Sequence, residues 1–352
     1  MKFIKIKIIN YLFIIINSKY MNYTNIHNKK INLGIQILRV ILCFWILAFH
    51  SLNSKKINYY LFYITKTIFF HVPCFSLISF YFSYNIFSQS NSIKAKKRLE
   101  KLLIPYTIWP LITFINNNIL YNGRKIYFYQ LIIQLLLGRQ FIIPHWYLFS
   151  IIITTIFFFI LSNLFKEHFL FISQLLMILI YFAEYTSNFQ FLNIYKIYVK
   201  YPILDTFSIF PNCVAGLTIA SLNLVENFKK NRIKVIIFSY LFLYSLFKYN
   251  FFVDLGGYRG ILNNFASFFF FTIFYLIPLE NINIHFQKII THATSYTQGI
   301  YCLQSMMIPF VLNKLGNRGT FFGCIMIYFL SYLISLIGYK IVEKNRLKYL
   351  FI

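Results

Sequence analysis

Residues 151–161 read IIITTIFFFIL, with no charge, proline or glycine among them. A strand of a membrane barrel alternates lipid-facing apolar with lumen-facing polar positions, and this run does not, so it excludes a porin-like barrel. Extended outward to 143–165, the stretch stays predominantly apolar for more than 20 residues. That length crosses a hydrocarbon core of about 30 Å as an α-helix.

Similar runs fill the chain. Ten are expected to span a membrane, at 33–52, 67–87, 102–121, 143–165, 168–184, 201–223, 232–250, 260–280, 295–314 and 319–341. The fifth is short, and the sixth contains Pro202, Asp205 and Pro211. With 59% hydrophobic and 12% charged residues and a mean hydropathy of +0.64, the 352-residue chain is too apolar for a soluble globule. The expected fold is all-α: a polytopic integral membrane protein with about ten transmembrane helices in one bundle. Residues 1–30 read as an N-terminal tail, with an apolar stretch of signal-like length but no small-residue cleavage site, and Met21 as an alternative start. Residues 31–352 read as one membrane domain.

The net charge of +26 does not point to nucleic acid, because the basic residues sit in short clusters between apolar runs rather than in one patch. They act as topology signals. With the N-terminus inside and Arg39 left out, 21 Lys and Arg fall on the inner side and 12 on the outer, which favours two cytoplasmic termini. Cys43, Cys74, Cys213, Cys302 and Cys324 lie in apolar segments without paired spacing, so neither a disulfide framework nor a metal site is expected.

Two ionisable residues interrupt LRVILCFWILAFHS at 38–51: Arg39 and His50. A charge near a bilayer centre costs several kcal/mol, so its presence there is a functional hypothesis by default. Eleven positions apart, they share one helical face at an axial separation of about 16 Å. The plainer alternative has Arg39 snorkelling to the interface and His50 capping the outer end. Further on, FFHVPCFSLISFYFS at 69–83 carries His71, Pro73, Ser76 and Ser79, and KAKKRLEKLLIPYTIW follows, with Arg98 and Lys101 in its basic cluster. Such a cluster serves as a positive-inside anchor or as a holder of a phosphorylated co-substrate. His145 and Trp146, at the start of the fourth span, are candidates for the acceptor site or for the interfacial belt.

Taken in order, these segments resemble the membrane acyltransferase family 3, which includes O-antigen, nodulation-factor and fucose O-acetylases. The resemblance rests on Arg39 and His50 of the first helix, on FHVPCFSLISF, on KKRLEKLLIPY, on PHWYLFS at 144–150 and on TQGIY at 297–301. Three positions depart from the family pattern: Phe80 in place of a Gly, Lys101 in place of an Arg, and Gln304 in place of a frequent His.

The resemblance implies acyl transfer, most often of acetyl from acetyl-coenzyme A, to a hydroxyl of a carbohydrate or glycolipid. The acyl-coenzyme A is a co-substrate, and no bound cofactor is implied. His50 would be general base or transient acyl carrier, since imidazole accepts a hydroxyl proton near neutral pH. Arg39, Arg98 and Lys101 would bind or orient the phosphorylated donor. Bacterial relatives suggest the plasma membrane. The competing readings are a transporter or flippase of a lipid-linked sugar, with Arg39 and His50 lining its path, and a non-catalytic membrane protein of the same family.

Overall fold

The computed structural model describes residues 32–52, 70–116, 127–138, 146–190, 205–250, 261–279, 282–311 and 320–352. They are helical, with no strand among the described residues. The helices are α1 Leu33–Ser51, α2 His71–Tyr81, α3 Tyr84–Ser88, α4 Ser92–Ile115, α5 Phe128–Leu137, α6 Trp146–Phe165 and α7 Phe169–Gln190. They continue as α8 Asp205–Ser221, α9 Leu224–Phe228, α10 Arg232–Asn250, α11 Ile261–Leu276, α12 Ile284–Ser295, α13 Thr297–Pro309 and α14 Phe321–Val342. Leu33–Ile352 form one compact unit.

Among the described residues, three helical segments are long and apolar enough to cross a membrane: Leu33–Ser51, Trp146–Phe182 and Phe321–Val342. A fourth is reached if Thr206–Ser221 and Leu224–Leu246, bent by 64° at their junction, count as one. The ten runs read from the sequence exceed this number, and three of them differ in the described residues from a single spanning helix. The second run breaks at Phe82–Ser83 into α2 and α3. The third is the apolar end of a helix that starts ten residues earlier, at Ser92, capped by Asn91 accepting from the Lys94 N–H at 2.9 Å. The eighth is a helix of only 16 residues.

Trp146–Phe182, at 37 residues, would be about 55 Å long as one rod, nearly twice the thickness of a hydrocarbon core. Its contacts with α8 show that it folds back on itself. Thr206 donates to Ser150 at 3.3 Å and Phe210 stacks on Phe158, so α6 runs with α8. Gln174 reaches Thr218 at 3.0 Å, while Asn212 reaches Tyr181 through Asn264, so α7 runs against it. The reversal occurs at the exposed residues Lys166, Glu167 and His168, with Lys166 at φ 44°. α6 and α7 are therefore an antiparallel hairpin.

Helix α8 lies backbone to backbone on α2. A Cβ on Gly216 would stand 2.4 Å from the Leu77 carbonyl oxygen and 2.9 Å from the Tyr81 nitrogen, so only glycine permits this approach. α1 and α2 are antiparallel, since Phe49 packs on His71 at 5.6 Å and Trp45 on Phe70 at 5.3 Å, while the start of α1 shares a buried cluster with Leu77 and Tyr81. This pairing returns Ser79 and Ser83 to the Arg39 end of α1. His71 stands at the His50 end.

Candidate functional site

Arg39 turns inward. Its Nη2 donates to Thr297 Oγ1 at 3.1 Å, at the first residue of α13, and the Cys43 thiol one turn on donates to the Thr297 carbonyl at 3.6 Å. These bonds draw the guanidinium into the helix packing.

Arg98 also turns inward, and its environment departs from an interfacial anchor. Nη1 donates to Ser83 Oγ at 2.6 Å, Nη2 to Ser79 Oγ at 2.8 Å and Nε to Thr155 Oγ1 at 3.2 Å. The guanidinium carbon lies 4.9 Å from the centre of the Phe80 ring, a cation–π contact. Phe80, where the family pattern has Gly, is fully buried against Phe87 and Phe158 and serves as the floor under Arg98.

Tyr147 joins the two arginines. Its hydroxyl lies within electrostatic range of both guanidinium groups and beside Ser76, and its ring meets Tyr301 edge-on at 6.0 Å. Among the described residues no carboxylate forms an ion pair with Arg39 or Arg98; the ion pairs present are Lys229–Glu226 and Arg346–Glu100. Among the described residues, two positive groups thus share one interior region with neutral hydroxyls, thiols and an aromatic ring around them. Cations held this way are suited to an anion that arrives from outside.

Lys101 parts company with Arg98. It is exposed, with Nζ 5.6 Å from the centre of the Tyr349 ring, and Lys348 lies over the same ring at 5.9 Å. Arg98 and Lys101 both precede the apolar part of α4. Burial pushes the Arg98 pKa down to about 10, which leaves it protonated at neutral pH. Partial burial, then Lys97 and Lys348, push Lys101 down. The two residues expected to act together therefore sit on two levels, Arg98 inside and Lys101 on a rim with Lys97 and Lys348.

His50 lies in the last turn of α1, exposed, about 16 Å along the axis from Arg39. Trp146 opens α6 with its ring edge-on to Tyr147 at 6.3 Å. His145 lies outside the described residues, as does the side chain of Asp205. Gln304 is 2% exposed, and its Oε1 has no hydrogen-bond partner among the described residues. It follows Thr297 by two turns on α13, a polar group carried inward by the helix that contacts Arg39.

The sequence model for the acyltransferase domain matches residues 32–340. The chain belongs to acyltransferase family 3. Nothing among curated proteins or solved structures matches it. The match covers both arginines, His50 and the helices that position them, so this family 3 acyltransferase carries its charged interior inside the family domain. Membership places it with the acyltransferases. Sequence reasoning did not single out Tyr147, Thr297 and Thr155, because neutral hydroxyls in apolar runs look like ordinary span residues. The signal available for two of them was their place in the PHWYLFS and TQGIY segments.

Proposed function

We propose that this acyltransferase crosses the plasma membrane ten times with both termini in the cytoplasm, and moves an acetyl group from acetyl-coenzyme A to a hydroxyl of a carbohydrate or glycolipid. One observation carries this reading. Two guanidinium groups, with no carboxylate paired to either among the described residues, both lie within reach of Tyr147 toward one end of α1, whose other end holds an exposed histidine.

The roles follow from that separation. Arg39 and Arg98 bind the donor's diphosphate from the cytoplasmic side, and the rim lysines Lys97, Lys101 and Lys348 attract it. An extended pantetheine arm then runs along α1 and brings the thioester to His50. His145 and Trp146 contribute to the acceptor side. The acceptor hydroxyl gives its proton to the neutral His50 imidazole as its oxygen attacks the thioester carbonyl. The carbon–sulfur bond breaks, and the thiolate leaves with the proton from His50 as free coenzyme A. An ester and a thiol replace an alcohol and a thioester, with no further reactant.

The ten spans are supported by the hairpin of α6 and α7, which turns one long apolar segment into two crossings. The cytoplasmic placement of the Arg39 end rests on the excess of Lys and Arg on that side. The test is transfer of label from acetyl-coenzyme A into the glycolipid and polysaccharide fraction by membranes carrying the wild-type, His50→Ala or Arg39→Ala protein. Transfer that His50→Ala abolishes and Arg39→Ala weakens through a raised donor KM is expected. Undiminished transfer in both variants, at equal membrane insertion, overturns the assignment.

A further inference from the structure

A second site, outside the arginine region, lies between α12 and α14. An open groove of about 470 Å³ lies there, lined by Lys288, Ile289, His292 and Ala293 of α12 and by Tyr328 and Tyr332 of α14. Its walls are mostly side-chain carbon, but its polar groups have a definite order. His292 Nδ1 and Tyr332 Oη are 2.7 Å apart. With Tyr332 as the donor in that bond, His292 keeps a proton on Nε2 and can donate it to a ligand. Lys288 is exposed, and no carboxylate pairs with it among the described residues.

The groove's position in the bundle limits what can fill it. Thr294 of α12 donates to the Gln36 carbonyl in the first turn of α1, so the groove lies at the Arg39 end. The surface beside it is apolar, with Ile284, Phe286 and Ile289 of α12 and Phe329 of α14 exposed. α12 thus has the character of an interfacial helix, with its apolar side toward the acyl chains and its cations at headgroup level.

We propose that this groove binds one anionic phospholipid, its chain along the apolar wall and its phosphate held by Lys288 and His292. Charge selects this occupant over the neighbouring part of the chain. Residues 1–31 carry six lysines and no acidic residue, so their charge opposes docking beside Lys288. The inference goes beyond acyl transfer and stands whichever donor the enzyme uses.

The full-length protein, delipidated in detergent, is titrated with phosphatidylglycerol or with phosphatidylcholine of identical chains, and bound lipid is counted by native mass spectrometry. One phosphatidylglycerol is expected to bind at least fivefold more tightly than phosphatidylcholine. Lys288→Glu, at an exposed position, removes that preference. Ala293→Trp fills the groove and lowers binding of both lipids. Equal binding of the two lipids, or wild-type binding by both variants, overturns the proposal. Strongly increased phosphatidylglycerol binding in a variant lacking residues 1–30 also overturns it, because the groove would then belong to the tail.

Discussion

Arg98 shows how one side chain can be held ready for a ligand. Its three hydroxyl partners and the Phe80 ring fix the guanidinium plane without neutralising it. A lysine at this position keeps the charge but cannot hold three fixed partners or stack in the same way. Arg98→Lys is therefore expected to raise the KM for acetyl-coenzyme A roughly tenfold, since one charge-assisted hydrogen bond is worth about 1.5–3 kcal/mol, while the amount of inserted protein is unchanged. Steady-state kinetics on purified membranes check this; an unchanged KM would make Arg98 an anchor only. Phe80 carries a second prediction. Phe80→Gly reinstates the family residue but empties a fully buried ring site, and deletion of a buried Phe side chain costs about 3–5 kcal/mol. The variant should melt at a clearly lower temperature in detergent and lose activity, not gain it. Of these residues, Arg39 was legible in the sequence because a charge stands out in LRVILCFWILAFHS. The inward turn of Arg98 was not, because a basic cluster beside a span is compatible with either direction until the positions of Ser79, Ser83 and Thr155 are known.

Among the elements, the hairpin of α6 and α7 decides how many times this part of the chain crosses the bilayer, and it makes a topological prediction. Ser90 donates to the Ser162 carbonyl at 3.1 Å, so the turn between α3 and α4 and the turn between α6 and α7 lie at the same end. Cysteines placed at the exposed positions Ile93 and Glu167 should both react with a membrane-impermeant maleimide from the same side. The five native cysteines are buried, so the background is low. Labelling from opposite sides would break the hairpin assignment. The contact of α8 with α2 is equally testable. Gly216→Val puts branched carbon where a Cβ alone already meets the Leu77 carbonyl oxygen, which is backbone and cannot rotate away. The helices must separate, and the expected result is loss of folded protein on detergent extraction, read by size-exclusion chromatography. Hydropathy revealed most of the long apolar helices but not α12, whose Gln287, Lys288, Thr291 and His292 dilute its apolar side. It left α3 merged with α2 because the break at Phe82–Ser83 has no proline or glycine to mark it.

For the whole molecule, the separation of charge along α1 gives the bundle a direction. Arg39 and Arg98 lie toward the end that carries the rim lysines, and His50 lies toward the other, about 16 Å further along the helix axis. A phosphorylated donor that engages the arginines must therefore enter from the lysine-rich face, because a multiply charged molecule does not cross the apolar helices or the bilayer by itself. With that face in the cytoplasm, sealed inverted vesicles should use added acetyl-coenzyme A at once. Sealed right-side-out vesicles should use it only after permeabilisation, and the latency should vanish with detergent. The rim lysines add a screened attraction, so raising salt from about 0.05 to 0.5 M should increase the donor KM in the wild type and much less in a Lys97→Gln, Lys101→Gln, Lys348→Gln variant. Activity of equal size in both vesicle orientations would mean that the arginines are reached from either face, and the assigned direction of the bundle would fall with it.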